Sequence, residues 1–237
     1  MFERFIGIDY SGRGTPVTRT TGLRVYVAAN NRLPKRVPPP STPKGRSRNW
    51  CRREVAEWLI DQADSGKPFI AGLDFSFSLP FTYFRRYRLS SWDVFLADFV
   101  EHWPADQDDA TVEGLRNGNA RTGMPDELRI TERRTSSAKS NFHFGFQGQV
   151  ATSTHAGIPW LYRIRQAVGT KVHFWPFDGW DVRHGRSVIT EVYPSILRRR
   201  YPQEGRTVDQ HDAYAIARWL KEVGSGRLRD DVYFGPP

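Results

Sequence analysis

Two stretches of this chain share one design. Phe5-Ile6-Gly7-Ile8-Asp9-Tyr10-Ser11-Gly12 is an apolar run that ends on a carboxylate and breaks at a Ser-Gly step. Pro68-Phe69-Ile70-Ala71-Gly72-Leu73-Asp74-Phe75-Ser76 repeats the pattern. A short apolar run bounded by Gly or Pro reads as a buried strand. A third run, Ser187-Val188-Ile189-Thr190-Glu191-Val192-Tyr193-Pro194, carries an acid near its end. Each strand therefore delivers a carboxylate close to where it meets solvent. Three such strands constrain the chain to an α/β sheet whose strand ends share one acidic site.

Between these runs the pattern alternates in kind. Thr21 to Asn30 is β-branched and period-two, and reads as a second strand. Leu33 to Val37 reads as a short edge strand, because Pro34 tolerates only an edge. Pro38 to Asn49 is a basic Pro/Ser-rich loop. Trp50 to Ala63 has helical spacing, with Asn49 as the expected N-cap. Ser91 is the expected cap of a helix carrying Val94, Phe95, Ala97 and Phe99. Pro104 to Ser140 shows no sustained period and reads as an irregular insertion in a single domain spanning 1–237. Phe142, Phe144 and Phe146 alternate, which fits a strand or an aromatic-lined loop equally. Ala156 to Val168 reads as a helix, Val172 to Phe177 as a strand, and Ser195 as the cap of a short helix to Tyr201. Val208 to Val223 closes the chain with a helix whose apolar stripe is Ala213, Ile216, Ala217 and Leu220.

Four acids stand out: Asp9, Asp74, Glu191 and Asp212. Taken singly, each has a local role open to it: capping a turn, accepting backbone N–H groups, pairing with an arginine, or facing a helix dipole. Taken together they would repel one another unless a cation neutralised them. Oxygen ligands select Mg2+ or Mn2+ rather than zinc. Two such ions about 4 Å apart suit phosphodiester cleavage. Asp209, three residues before Asp212, is a reserve ligand. The lone cysteine, Cys51, rules out a disulfide framework and a Cys-based zinc site.

The charge balance points to the partner. Thirty-five basic residues against 26 acidic ones give a formal net charge of +9, with arginines in runs. Arginine suits bidentate phosphate contact, so a nucleic acid is the expected partner. A solvated basic surface is the plain alternative. Ser11, after Asp9, and Ser76, two residues past Asp74, are placed to contact substrate. Arg133, Arg134 and Lys139 would line its path. No apolar run approaches the roughly 18 residues of a membrane span. Glu3 and Arg4 interrupt any signal-peptide pattern, so a soluble cytoplasmic protein is expected.

Four short motifs carry a resemblance: Gly7-Ile8-Asp9, Gly72-Leu73-Asp74-Phe75-Ser76, Glu191-Val192-Tyr193-Pro194-Ser195 and His211-Asp212-Ala213-Tyr214-Ala215. Their pattern, spread from Ile6 to about Leu220, resembles the DUF429 family. Its members are predicted to be nucleases of the ribonuclease H-like fold. The resemblance implies a central mixed sheet flanked by helices, with three antiparallel strands leading into parallel ones. It implies Asp9 on the first strand, Asp74 on the fourth, and Asp212 on a C-terminal helix facing the first strand. It implies a carboxylate-bound metal nuclease. Two rivals stand beside that expectation. One is a non-catalytic module binding nucleic acid or protein on the same fold. The other is a phosphotransferase related to actin-like ATPases, against which the chain lacks a second Asp-Gly phosphate loop.

Overall fold

The computed structural model describes residues 2–29, 32–40, 49–135, 138–145 and 150–224. The fold class is α/β: a six-stranded mixed sheet flanked by helices. The chain forms two compact units. The first holds 1–10, 19–74 and 164–237, and the second holds 11–18 and 75–163. Among the described residues no helix is long and apolar enough to cross a membrane.

The first unit contains the whole sheet. Its strands are β1 (Arg4–Asp9), β2 (Arg24–Ala29), β3 (Lys35–Arg36), β4 (Phe69–Leu73), β5 (Val172–Trp175) and β6 (Ser187–Glu191), in the order β3-β2-β1-β4-β6-β5. β1 pairs antiparallel with β2, and β2 antiparallel with β3. β1 pairs parallel with β4, β4 with β6, and β6 with β5. The short strand carrying Pro34 on its flank is at the edge, where the missing ladder donor costs nothing.

Side-chain alternation assigns the faces. Phe5, Tyr26, Ala28, Ile70, Val188 and Val192 pack in one cluster with α7 (Val208–Gly224). The expected stripe of α7 is fully used: Ala213, Ile216 and Ala217 are wholly buried and Leu220 nearly so. Thr207 caps this helix by accepting the Gln210 N–H at 3.3 Å, while the Gln210 side chain accepts the Thr207 N–H at 3.1 Å. Helix α1 (Arg52–Asp64) begins later than Asn49 would place it, with Cys51 at the N-cap. Asn49 is engaged elsewhere, its Oδ1 accepting from Arg24 at 2.5 Å and its carbonyl from Arg19 at 2.7 Å. Ser195 caps nothing. It lies inside a 3-10 turn, Pro194–Ile196, followed by a second at Arg198–Arg200.

The second unit is helical: α2 (Phe81–Arg86), α3 (Trp92–His102), α4 (Val112–Arg116), α5 (Ile130–Arg134) and most of α6 (Val150–Val168). Ser91 caps α3, its side chain accepting the Val94 N–H at 3.2 Å. The aperiodic stretch from Pro104 to Ser140 is ordered by polar contacts rather than by an apolar period. Arg121 forks onto Asp98 at 2.6–3.1 Å, and the Trp103 indole donates to the Arg121 carbonyl at 3.0 Å. A closed ring of buried polar groups completes the order. Arg129 donates to Ser76 Oγ (2.7 Å) and Glu132 (2.8 Å), Asn141 donates to Glu132 (3.0 Å), Thr154 to Asn141 (3.2 Å), and Ser76 N to Thr154 (3.1 Å). Asn141 to Gly145 forms a turn, with Phe142 stacked on Tyr83; Phe146 lies outside the described residues, as do Asn30 and 41–48 of the Pro/Ser-rich loop.

Gly7 is the tightest point of the first unit. It is directly paired with Gly72 on β4, and both lie under α7. A Cβ at Gly7 would overlap the Ala213 carbonyl and lie 2.5 Å from the Ala217 nitrogen. One at Gly72 would lie 2.6–2.7 Å from Val192 and Ile216. Helix backbone cannot yield as a side-chain tip can. Gly7→Ala should therefore destabilise the protein by about 3 kcal/mol, the upper end of ordinary overpacking. Urea denaturation measures this, and an unchanged midpoint would contradict so close a seat for α7.

Candidate metal centre

The site follows from that seat. Asp9 and Asp74 each come two residues after their glycine, so both sit at the same end of adjacent parallel strands and on the α7 face. The Asp74 N–H donates to the Ile8 carbonyl at 3.0 Å, which continues the β1–β4 ladder into the site. Asp212 precedes Ala213, the residue whose carbonyl faces Gly7. It lies in the second turn of α7 rather than the first, since the helix begins at Val208. Helix and strands thus converge three acids: one oxygen from each of Asp9, Asp74 and Asp212 lies within 4.8 Å of the others. Asp9 and Asp212 are buried and Asp74 is half-buried.

The electrostatics record the crowding. Burial pushes the Asp9 carboxyl well above the usual carboxylate range, and the charges of Asp74, Asp212 and Asp209 push it further. Burial also raises Asp74, to about 8; Asp212 and Glu191 add to the rise, while Arg198 and a hydrogen bond with Asp9 oppose it. Asp212 is treated differently. Arg198 holds it in a two-pronged ion pair, Nε to Oδ1 at 2.7 Å and Nη2 to Oδ2. That hydrogen bonding in turn raises the Arg198 guanidinium above its ordinary value. His211, one residue before Asp212, hydrogen-bonds the Arg198 carbonyl through Nε2 at 3.0 Å, which anchors the turn that carries the arginine.

These residues fit a divalent cation. All three donors are hard carboxylate oxygens, the kind that Mg2+ and Mn2+ take. Among the three, the ion pair with Arg198 is made by Asp212, and Asp9 and Asp74 crowd against it and each other. Without a cation, like charges this close hold protons instead, which is the direction seen at Asp9 and Asp74.

Other expected residues take other positions. Glu191 pairs in register with Leu73, whereas Val188 and Val192 face α7. Period-two alternation therefore turns Glu191 to the opposite face, and it acts on Asp74 through its charge rather than by joining the three. Asp209 acts likewise on Asp9. The five expected substrate contacts belong to the second unit. There Ser76 is buried and engaged by Arg129 and Thr154, Ser11 is half-buried and accepts from the Arg13 N–H at 3.4 Å, and Arg133, Arg134 and Lys139 lie outside the buried core. Sequence reasoning missed Arg198 as a member of the site. It lies in the run Arg198-Arg199-Arg200, and nothing in three identical residues marks the one that turns inward. No family profile, no curated protein and no solved structure matches the chain.

Asp9 and Asp74 bind protons more tightly in the folded chain than the ordinary value of 3.8. Their favourable contribution to stability is complete below about pH 4 and is lost as pH rises through the folded value, about 8 for Asp74. Asparagine mimics the protonated acid without this loss. In the presence of a chelator, wild type should therefore lose stability relative to Asp74→Asn as pH rises from about 4 to about 8. Urea denaturation of both proteins across that range reads the difference, and a pH-independent difference would contradict the raised value.

Proposed function

We propose that the protein is a metal-dependent phosphodiesterase of ribonuclease H-like fold that hydrolyses nucleic acid. The observation that carries the reading is the convergence of Asp9, Asp74 and Asp212 to within 4.8 Å at one end of the sheet. The strand pairing supports it: three antiparallel strands lead into parallel ones, as the resemblance to the DUF429 family implies. The net charge of +9 suits a polyanionic substrate.

In this reading Asp9, Asp74 and Asp212 hold Mg2+ or Mn2+. A divalent ion, when bound, supplies Lewis acidity toward a phosphate oxygen. The chain's own residues do the rest. Arg198 holds Asp212 in a two-pronged ion pair and fixes its orientation. His211 fixes the backbone of Arg198. Burial of Asp9 and Asp212 keeps competing water from their carboxylates and strengthens every charge interaction among them.

One observation favours a second reading, a nucleic-acid-binding module without turnover. Arg198 already supplies Asp212 with a cation, so part of the cluster is satisfied by the protein itself.

Cleavage of labelled single-stranded and duplex DNA and RNA, with and without Mn2+ or Mg2+, separates the two. Wild type should cleave only with metal. Asp74→Asn should fall by more than about 100-fold, since losing a ligand exceeds the roughly 10–100-fold effect of losing a group that merely orients one. Circular dichroism should show the variant folded. Equal cleavage by wild type and variant would end the proposal.

A further inference from the structure

A second charged cluster borders the acids on the same face of the sheet, and its sign is opposite. Arg24 is the direct strand partner of Asp9. Residues paired across antiparallel strands point to the same face, so Arg24 shares the α7 face with Asp9. Tyr26, two residues on, shares that face and packs edge-on against Tyr214 of α7, with ring centroids 6.0 Å apart. Arg36 of β3 lies directly across from Tyr26. Arg206, just before α7, sits over the Tyr214 ring at 3.8 Å. Three guanidinium side chains are thus gathered around one Tyr26–Tyr214 pair, next to Asp9.

This gathering is costly. Arg24 is 7 % exposed, and Arg36 is its diagonal neighbour across the ladder. Burial first, and the Arg36 charge second, hold Arg24 below the usual guanidinium range. Burial pushes the Tyr26 hydroxyl up, and Arg206, Arg36 and Arg24 all pull it back. Asp209 and Asp9 act on Arg24, and Glu204, itself 59 % exposed, contacts Arg206 at 3.0 Å. Solvent around Glu204 screens that contact. Among the described residues, the Nε–H groups of both Arg24 and Arg206 are buried without an acceptor. A buried donor left unmade costs free energy, and a buried charge is normally paired.

We propose that Arg24, Arg36 and Arg206 form a phosphate subsite beside Asp9, which holds a backbone phosphate of a nucleic-acid strand next to the one presented to the carboxylates. Phosphate fits the donors: its oxygens accept the forked N–H groups of a guanidinium two at a time. The tyrosine pair supplies a rigid wall for the guanidiniums to lie against. The identity of the anion rests on the phosphodiesterase reading, while the subsite itself stands on its own geometry.

Equilibrium binding without turnover tests the subsite. A fluorescent single-stranded oligonucleotide is titrated with the full chain in a chelator, by anisotropy, across a series of salt concentrations. Arg36→Gln/Arg206→Gln should bind about tenfold more weakly. Its plot of log affinity against log salt should be shallower by about 0.7, the slope of one lost phosphate on a single strand. Arg183→Gln, an exposed arginine of the same unit, should match wild type. Should the double variant fail to fold by circular dichroism, Arg36→Gln alone, at the exposed sheet edge, should show the shallower slope. Affinity and slope equal to Arg183→Gln would overturn the subsite, even if wild type cleaves with metal. Weakened binding by the double variant, alongside a wild type that cleaves nothing, would keep the subsite and sink only the catalytic reading.

Discussion

The first unit depends on how closely α7 can lie on the sheet. Helix-on-sheet packing normally leaves room for a layer of side chains. Here the paired glycines Gly7 and Gly72 remove that layer at one point, and the small residues Ala213 and Ala217 remove it from the helix side. The backbone of α7 therefore meets the backbone of β1. One consequence is apolar: Ile216 and Leu220 reach past the glycines into a core shared with Val192 and Phe5. The other is polar. Bringing the helix in brings Asp212 with it, one residue from the contact, to the end of the two strands that carry Asp9 and Asp74. The same seat that stabilises the fold therefore assembles the acids, so the packing and the proposed chemistry share one set of residues.

That assembly is costly in itself. Carboxylates held together in a low dielectric resist ionisation, and Asp9 and Asp74 show it in the direction of their proton affinity. The fold pairs Asp212 directly with Arg198, while Asp9 and Asp74 show their crowding in raised proton affinity. A site tuned only for stability would replace such acids with apolar groups of similar size. Their presence at the seam of helix and sheet is the physical argument for a bound ion. The arginines around Tyr26 carry the mirrored argument for a bound anion. Opposite clusters side by side on one face are what a phosphodiester and its metal would require.

Much of this was legible in the sequence because it rests on short-range pattern. The apolar runs predicted β1, β4 and β6, Pro34 predicted an edge, and the stripe through Ala213 and Leu220 predicted the buried face of α7. The glycine two residues before each aspartate was visible as a repeated motif, though only the structure reveals what it admits. Contacts between distant segments were less legible. Asn49 has the chemistry of a cap, but Arg24 and Arg19 claim it from 25 and 30 residues away. Glu191 differs from Asp9 and Asp74 by one step of strand register, and one step reverses the face. The stretch from Pro104 to Ser140 lacks a period because polar contacts such as Arg121–Asp98 and the ring through Glu132 and Asn141 organise it. Those pairings leave no spacing signature.

The most direct test of the central claim is Mn2+ binding followed by electron paramagnetic resonance at mildly alkaline pH, in the absence of any nucleic acid. If Asp9, Asp74 and Asp212 form a divalent-cation site, wild type will remove at least one Mn2+ per chain from the free-ion signal, Mg2+ will displace it, and Asp212→Asn will weaken it by more than about tenfold. A wild type that leaves the free Mn2+ signal untouched, or an Asp212→Asn variant that binds as tightly as wild type, would show that the three acids meet for a reason other than a metal.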